Sequence, residues 1–168
     1  MVNLHQKFCK ETFYDGKLVG FEPVYESNFN FAYDVVDELA RLEPERRAMV
    51  WCNDKGEEHT FTFGDISRYS NQAANLFASL GIARGDTVTL VLKRHYEFWF
   101  ALLGLHKLGA VGIPATNLLT KKDFVYRFHA AHVKGIVCTT DGETIQHVED
   151  ALPECPTVTV KVSVHGGR

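Results

Sequence analysis

Between residues 86 and 164 the chain alternates short apolar runs with longer segments of helical periodicity, and this alternation constrains the fold more than any other feature. The predicted strands cover 86–92, 110–116, 134–140 and 157–164, and the predicted helices cover 95–108, 120–131 and 142–152. Strands and helices that alternate in this way build βαβ units with right-handed crossovers and a parallel sheet. We therefore predict an α/β fold with a three-layer parallel-sheet subdomain.

The first thirty residues are rich in aromatic side chains but have no period, so we expect an irregular N-terminal arm over 1–30, with a turn at 15–17. The rest, 31–168, is expected to be an incomplete α/β subdomain. Before the alternating region it should contain a helix over 30–42, a β-hairpin with strands 47–52 and 59–63, and a helix over 62–80 that ends at Gly81.

Composition excludes several classes of protein. The chain is 45% hydrophobic and 23% charged with a net charge of −3, which is typical of a globular domain and not of a disordered one. No basic stripe is present, so we expect no nucleic-acid partner. No segment reaches the roughly 18 uninterrupted apolar residues of a membrane span. The first residues do not resemble a secretory signal, and we expect a soluble, cytoplasmic protein.

The positions where α/β proteins bind ligands carry no phosphate-binding motif. Neither GxGxxG nor GxxxxGK occurs in the sequence. Lys93, Arg94 and His95 follow the predicted strand 86–92 and either contact an anion or form a solvated loop. His129 and His132 could share a helix face and begin a metal site, but zinc requires at least three protein ligands, and no third is evident.

Other reactive side chains are scattered. The four cysteines (Cys9, Cys52, Cys138 and Cys155) form no CxxC pair, and Cys52 and Cys138 lie in apolar runs, so burial is expected for both. None of Ser67, Ser70, Ser79 and Ser163 lies in a GxSxG turn. His106, His147 and His165 each stand alone in the sequence. We therefore assign no catalytic, cofactor-binding or metal residue.

Two short motifs resemble those of the adenylate-forming superfamily, which includes the acyl-CoA synthetases. "FTFGDI" (61–66) is similar to the family pattern L-[TS]-Y-x-E-L, and "HKLGAVGIP" (106–114) to L-K-A-G-x-A-Y-x-P, with Lys107, Gly109 and Pro114 matching. The segments 28–40 and 113–127 most resemble medium-chain acyl-CoA synthetases, a subgroup that is similar to acetyl-CoA synthetase.

The resemblance implies the N-terminal part of an AMP-forming acyl-CoA ligase of fatty acid metabolism, whose full-length parent would use ATP, Mg and CoA. The family's phosphate loop, TSGTTGxPK, is absent from these 168 residues. We therefore expect an inactive fragment with no cofactor of its own, whose partner is the remainder of the ligase chain, and which self-associates through exposed apolar faces of the sheet and of the helix at 95–108.

Two other hypotheses stay open on the sequence alone. One is a non-catalytic binding or scaffold module that reuses the ligase framework. The other is an unrelated α/β enzyme, for which a ligand beside Lys93, Arg94 or His95 would be the sign.

Overall fold

The computed structural model describes residues 3–165. The chain divides into two compact units, Met1–Ser67 and Arg68–Arg168, and the division falls within one helix. The predicted boundary at residue 30, between the N-terminal arm and the rest, stays a prediction.

The N-terminal unit begins with a hairpin where the sequence predicted an irregular arm. After a 3₁₀ turn (Leu4–Lys7), strand β1 (Cys9–Tyr14) pairs antiparallel with β2 (Lys17–Pro23). The connecting residues, Asp15 and Gly16, have φ angles of 48° and 70°. Positive φ at both central residues is the geometry of the tight hairpin turn that Asp-Gly favours. The prediction of a turn at 15–17 is confirmed, and that of an irregular arm is wrong for the residues of the hairpin.

The remainder of this unit follows the predicted order. A π-helical turn (Ala32–Asp37) leads into α1 (Glu38–Leu42), and Asn30 caps it because the Ala32 N–H donates to Asn30 Oδ1 over 3.0 Å. Strands β3 (Arg47–Cys52) and β4 (Glu58–Thr62) form the expected antiparallel hairpin. Helix α2 (Phe63–Ser79) then begins at a capping box, in which the Asp65 N–H donates to Thr62 Oγ1 and the Thr62 N–H donates to Asp65 Oδ2.

The C-terminal unit contains the predicted parallel sheet. Its strands are β5 (Thr87–Val91), β6 (Val111–Pro114), β7 (Gly135–Thr139) and β8 (Val160–Val164), in the order β6-β5-β7-β8, and all three pairings are parallel. The crossovers contain α3 (Glu97–Leu108), α4 (Lys121–Ala130) and α5 (Thr144–Ala151), the last followed by a 3₁₀ turn (Leu152–Glu154). The α/β prediction is confirmed.

Apolar side chains on the two faces of this sheet form two separate cores. On one face Phe124, Phe128 and Val148 of α4 and α5 pack in a cluster with Ile136 of β7. On the other face the neighbouring Val137 joins a cluster made by α2 and α3 (Phe77, Ala101, Leu105) and by β5 (Val88, Leu90). Successive residues of a strand point to opposite faces, so β7 supplies both cores and the unit has three layers.

Helix α3 is more covered than its apolar composition predicted. Phe100, Leu103 and Leu105 are buried, whereas Trp99 is 50% exposed. The helix approaches α2 so closely at Gly104 that a Cβ there would lie 2.9 Å from Ala73 Cβ. Because glycine lets the two backbones meet, the expectation that this helix is left bare is wrong for most of its length.

An ion pair holds the start of β5. Lys134 Nζ donates to Asp86 Oδ2 over 2.6 Å and to the Gly81 carbonyl oxygen over 2.8 Å. The hydrogen bond from Lys134 holds the pKa of the Asp86 carboxyl below its ordinary value. The ionised form of Asp86 is therefore the one that the fold stabilises.

Candidate functional site

The loop between β5 and α3 brings one of its three candidate side chains, His95, to the carboxyl edge of the sheet. Lys93 has a φ of 48°, and the His95 N–H donates to the Leu92 carbonyl oxygen over 2.9 Å, so the chain turns tightly here. Lys93 and Arg94 are exposed, whereas the His95 side chain is only 17% exposed. The structure thus separates the three residues that the sequence grouped together.

His95 contacts the end of the neighbouring strand β7. Its Nε2 lies 3.0 Å from Thr139 Oγ1 and 2.7 Å from Asp141 Oδ2. The same Thr139 oxygen accepts a hydrogen bond from the Asp141 N–H over 3.1 Å. The hydrogen bond to His95 holds the pKa of the Asp141 carboxyl below its ordinary value. Asp141 is therefore a carboxylate acceptor, and His95 Nε2 carries the proton that it donates to it.

A second imidazole and a second carboxylate lie beside this pair. The His165 ring stacks on the His95 ring with centroids 4.6 Å apart and planes inclined by 27°. His165 Nε2 lies 3.0 Å from Oε1 of Glu97, the first residue of α3. Burial, reinforced by the negative charge of Glu97, raises the pKa of Tyr96. We call His95, Glu97, Asp141 and His165 the carboxyl-edge cluster.

Three separate loops or strand ends supply this cluster. His95 and Glu97 follow β5, Asp141 follows β7, and His165 follows β8. The sequence predicted that His165 stands alone, and this prediction is wrong because β8 lies next to β7 and ends at the same edge of the sheet. The signal that could have found the cluster is that charged or imidazole side chains directly follow three strands of one parallel sheet.

The second pair of candidate histidines does not share a helix face. His129 lies in α4, but His132 lies beyond its last residue, Ala130, and has a φ of 47°. His129 Nε2 lies 3.9 Å from the buried thiol of Cys155 instead. His129 therefore lies beside the α4–α5 core and not on a helix face shared with His132.

The cysteines differ from one another in exposure. Cys138 and Cys155 are buried, and burial raises the pKa of both thiols, to about 11 for Cys138. Such thiols are protonated at neutral pH and unreactive. Cys52 is exposed, so its predicted burial is wrong: in the β3–β4 hairpin its position in the strand alternation points it outward.

An open cleft of about 780 Å³ lies beside the edge strand β8. Its apolar lining comes from β7, β8 and α5 and includes Ile136, Ile145, Val148 and Val162, and polar lining comes from Lys161 and Ser163. β8 pairs with β7 on one side and with no other strand among residues 3–165. This edge and the cleft form a surface on which a further element of chain could pack.

Within residues 3–165, no helix combines the length and the apolar character needed to cross a membrane.

Known proteins resemble the chain over most of its length. The family described as AMP-binding enzyme matches residues 36–168. The mitochondrial acyl-coenzyme A synthetase ACSM2A of Homo sapiens is 36% identical over 144 residues, which are 82% of this chain and 25% of the human protein. The mitochondrial acyl-coenzyme A synthetase ACSM5 of Rattus norvegicus is 36% identical over 152 residues, 87% of this chain and 26% of the rat protein. The chain thus spans about a quarter of the length of these relatives.

Solved structures show the same fold. The N-terminal domain of FACL13 from Mycobacterium tuberculosis superposes with a TM-score of 0.71 at 23% identity, covering 80% of this chain and 33% of that one. A benzoate CoA ligase from Burkholderia xenovorans LB400 superposes with a TM-score of 0.64 at 25% identity, covering 82% of this chain and 26% of that one.

Proposed function

The chain belongs to the AMP-binding enzyme family, and on that basis we propose that it is the N-terminal part of an ATP-dependent acyl-CoA ligase. Such a ligase converts a carboxylate, ATP and coenzyme A into acyl-CoA, AMP and pyrophosphate. The observation that carries the proposal is the 36% identity to acyl-coenzyme A synthetases over more than four fifths of the chain. Family membership also removes the hypothesis of an unrelated α/β enzyme.

The two motifs shared with the family have structural roles in this chain. Thr62 and Asp65 of the first motif close the capping box of α2. In the second motif Lys107 is buried, and its Nζ donates to Asn71 Oδ1 over 2.7 Å. Gly109 ends α3 with a φ of 68°, which glycine adopts without strain. These contacts support a role as framework, with the reacting groups supplied by other parts of the ligase.

We propose that this chain alone does not bind ATP. The loop from Leu92 to Tyr96 contains no glycine that would bring backbone N–H groups close to a phosphate, and the sequence contains no Ser/Thr/Gly-rich phosphate loop. In our proposal ATP, magnesium and coenzyme A are bound by the full-length ligase, and this chain alone does not form the acyl-adenylate.

We further propose that the partner of this chain is the remainder of the ligase polypeptide, packed at the free edge of β8. An unpaired strand edge beside an apolar cleft is a surface that natural proteins normally cover. The cleft lining combines apolar side chains with Lys161 and Ser163, which suits a strand or helix of mixed polarity.

Pyrophosphate release tests the activity. The purified 168-residue chain, incubated with ATP, magnesium and straight-chain carboxylates, should release no pyrophosphate above the level without carboxylate. The coding sequence that follows the codon of Arg168 should continue into a phosphate loop, and the protein expressed with that continuation should form acyl-CoA. Carboxylate-dependent pyrophosphate release by the chain alone would contradict the proposal, and so would a continued coding sequence without a phosphate loop.

The alternative function is a non-catalytic binding or scaffold module, and the cleft beside β8 is the feature that favours it. Calorimetric titration of the 168-residue chain with coenzyme A and with a medium-chain fatty acid distinguishes the two. The ligase proposal expects no saturable binding to the isolated chain, and the module requires it.

A cytoplasmic location is the remaining part of the proposal. The names of the relatives place those proteins in mitochondria. Subcellular fractionation of cells that express the natural gene product tests it, because recovery in any membrane-bounded compartment would overturn it.

A further inference from the structure

The carboxyl-edge cluster has the dimensions of a metal site. One ligand atom from each of His95, Glu97 and His165 lies within 4.8 Å of the other two. Zinc bonds of about 2.0–2.2 Å in a tetrahedron place neighbouring ligand atoms about 3.3 Å apart and the centres of two ligating imidazoles about 5 Å apart. His165 Nε2 and Glu97 Oε1 are 3.0 Å apart, and the two ring centroids are 4.6 Å apart. Small side-chain rotations therefore bring the three ligands to coordination distance.

A carboxylate oxygen of the cluster is free to accept a further ligand. Glu97 Oε2 is buried and has no hydrogen-bond partner within the described residues. A buried carboxylate oxygen without a partner costs free energy that a hydrogen bond or a bound cation would recover. The hydrogen bond of His165 reaches only the other oxygen, Oε1. A cation bound by the Glu97 carboxylate would satisfy Oε2.

Asp141 and Thr139 orient the His95 ring in the same way that hydrogen-bonding groups orient a histidine that ligates a metal. A histidine that ligates a metal generally donates its other ring N–H to a carboxylate or a carbonyl oxygen, which fixes the tautomer and the orientation of the ring. His95 Nε2 lies 2.7 Å from Asp141 Oδ2 and 3.0 Å from Thr139 Oγ1. These contacts leave Nδ1 as the nitrogen for a metal.

The donor set restricts the kind of metal. Magnesium and calcium prefer oxygen ligands, whereas two imidazoles and one carboxylate bind zinc or iron(II), and of these two zinc is the ion that takes a four-coordinate, tetrahedral site. The side chains of His95, Glu97 and His165 are 17%, 26% and 46% exposed, so an ion from solution can reach them. Three protein ligands leave one coordination position for water.

We propose that His95, Glu97 and His165 form a zinc site that joins the carboxyl end of β8 to the start of α3, with Asp141 as a positioning residue for His95. The site does not require the proposed ligase function, although His165 also lines the cleft beside β8. The bound zinc would stabilise the position of the edge strand β8 through side-chain ligands, in addition to the backbone hydrogen bonds between β8 and β7.

Calorimetric titration of the reduced 168-residue chain with zinc chloride tests the site. The expected result is one zinc per chain, with binding weakened at least tenfold in His95→Ala, Glu97→Gln and His165→Ala. Asp141→Asn should weaken binding about 10- to 100-fold, the range for the loss of a carboxylate that supports a ligand. Circular dichroism establishes that each variant keeps its secondary structure.

Two controls separate this site from other zinc-binding groups. His147→Ala removes a histidine outside the cluster, and Cys9→Ser with Cys52→Ser removes the two thiols that are not buried. Neither should change the affinity. X-ray absorption of the zinc-loaded wild-type chain, which needs no variant, should show nitrogen and oxygen at about 2.0–2.2 Å and no sulfur at about 2.3 Å. A sulfur shell, unchanged binding in the three ligand variants, or no zinc uptake at all would overturn the proposal.

Discussion

Replacing Gly104 by alanine tests the close packing of α3 against α2. In an ordinary helix interior this change stabilises by about 1 kcal/mol, because alanine has the higher helix propensity. At Gly104, however, a Cβ would lie 2.9 Å from Ala73 Cβ and 2.9 Å from the Ala74 backbone nitrogen. Heavy atoms in contact normally lie about 3.5–4.0 Å apart. The helices would have to separate by roughly 0.6–1 Å at this point, and no rotamer change can relieve a contact with backbone.

Overpacking of this kind costs about 1–3 kcal/mol. After the gain of about 1 kcal/mol in helix propensity, we expect Gly104→Ala to lower the free energy of unfolding by up to about 2 kcal/mol. Urea denaturation followed by circular dichroism measures this change in stability. The dependence of the free energy of unfolding on urea concentration should be unchanged. The matched control is Asn75→Ala at an exposed position of α2, where alanine should raise stability by up to about 0.5 kcal/mol. If Gly104→Ala is more stable than the wild type by about 1 kcal/mol, as at an uncrowded helix position, the close approach of the two helices is wrong.

Three further predictions concern the core, the pH dependence and association. Phe128→Ala removes a fully buried ring from the α4–α5 core and should cost about 3–5 kcal/mol by urea denaturation, whereas Tyr126→Ala, at a 74% exposed position of the same helix, should change stability by less than about 0.5 kcal/mol. The pKa of Asp86 is lowered in the fold. The contribution of its carboxylate to the free energy of unfolding is therefore complete above the unfolded pKa of about 3.9 and is lost as the pH falls through the lower folded pKa. Asp86→Asn should therefore be less stable than the wild type at pH 7, and this difference should shrink in acid; a constant difference would contradict the ion pair with Lys134. We also expect self-association through exposed apolar side chains, and sedimentation velocity over a concentration series checks it, since an unchanging monomer would exclude it.

The parallel sheet could be predicted because its signal is local. Each strand and helix of 86–164 shows its own length and periodicity, and each end has a recognisable cap, such as the capping box of Thr120 and Asp123. The N-terminal hairpin was missed although Asp15-Gly16 is a strong hairpin signal. Nearly all residues of its two strands are exposed, so the strands lack the apolar alternation that identifies a half-buried strand.

The carboxyl-edge cluster could be predicted only in part. The side chains that follow each strand indicate which residues lie at this edge, but which of them meet depends on strand order. His95 and His165 are 70 positions apart in the sequence, and nothing local indicates that β8 lies beside β7. A sheet with β8 next to β6 instead would have the same pattern of strands and helices, yet His165 would then follow a neighbour of β6 and not of β7, the strand whose end contacts His95. Strand order is set by the packing of whole helices on the sheet, which single-residue patterns do not contain.

The order β6-β5-β7-β8 also explains why the carboxyl-edge cluster lies next to β8, the edge strand of the sheet. β5 and β7 each have two neighbours, so backbone hydrogen bonds and both cores hold them. Among residues 3–165, β8 has backbone bonds to a strand on one side only. Side chains hold its carboxyl end: Thr140 Oγ1 donates to the His165 carbonyl oxygen over 3.2 Å, and the His165 ring reaches Glu97. The residues that would bind zinc are therefore the same ones that position the strand whose free edge is available to the rest of a ligase. A ligand at the cluster would restrain that strand, whereas loss of His165 would loosen it without disturbing the pairing of β5 with β7.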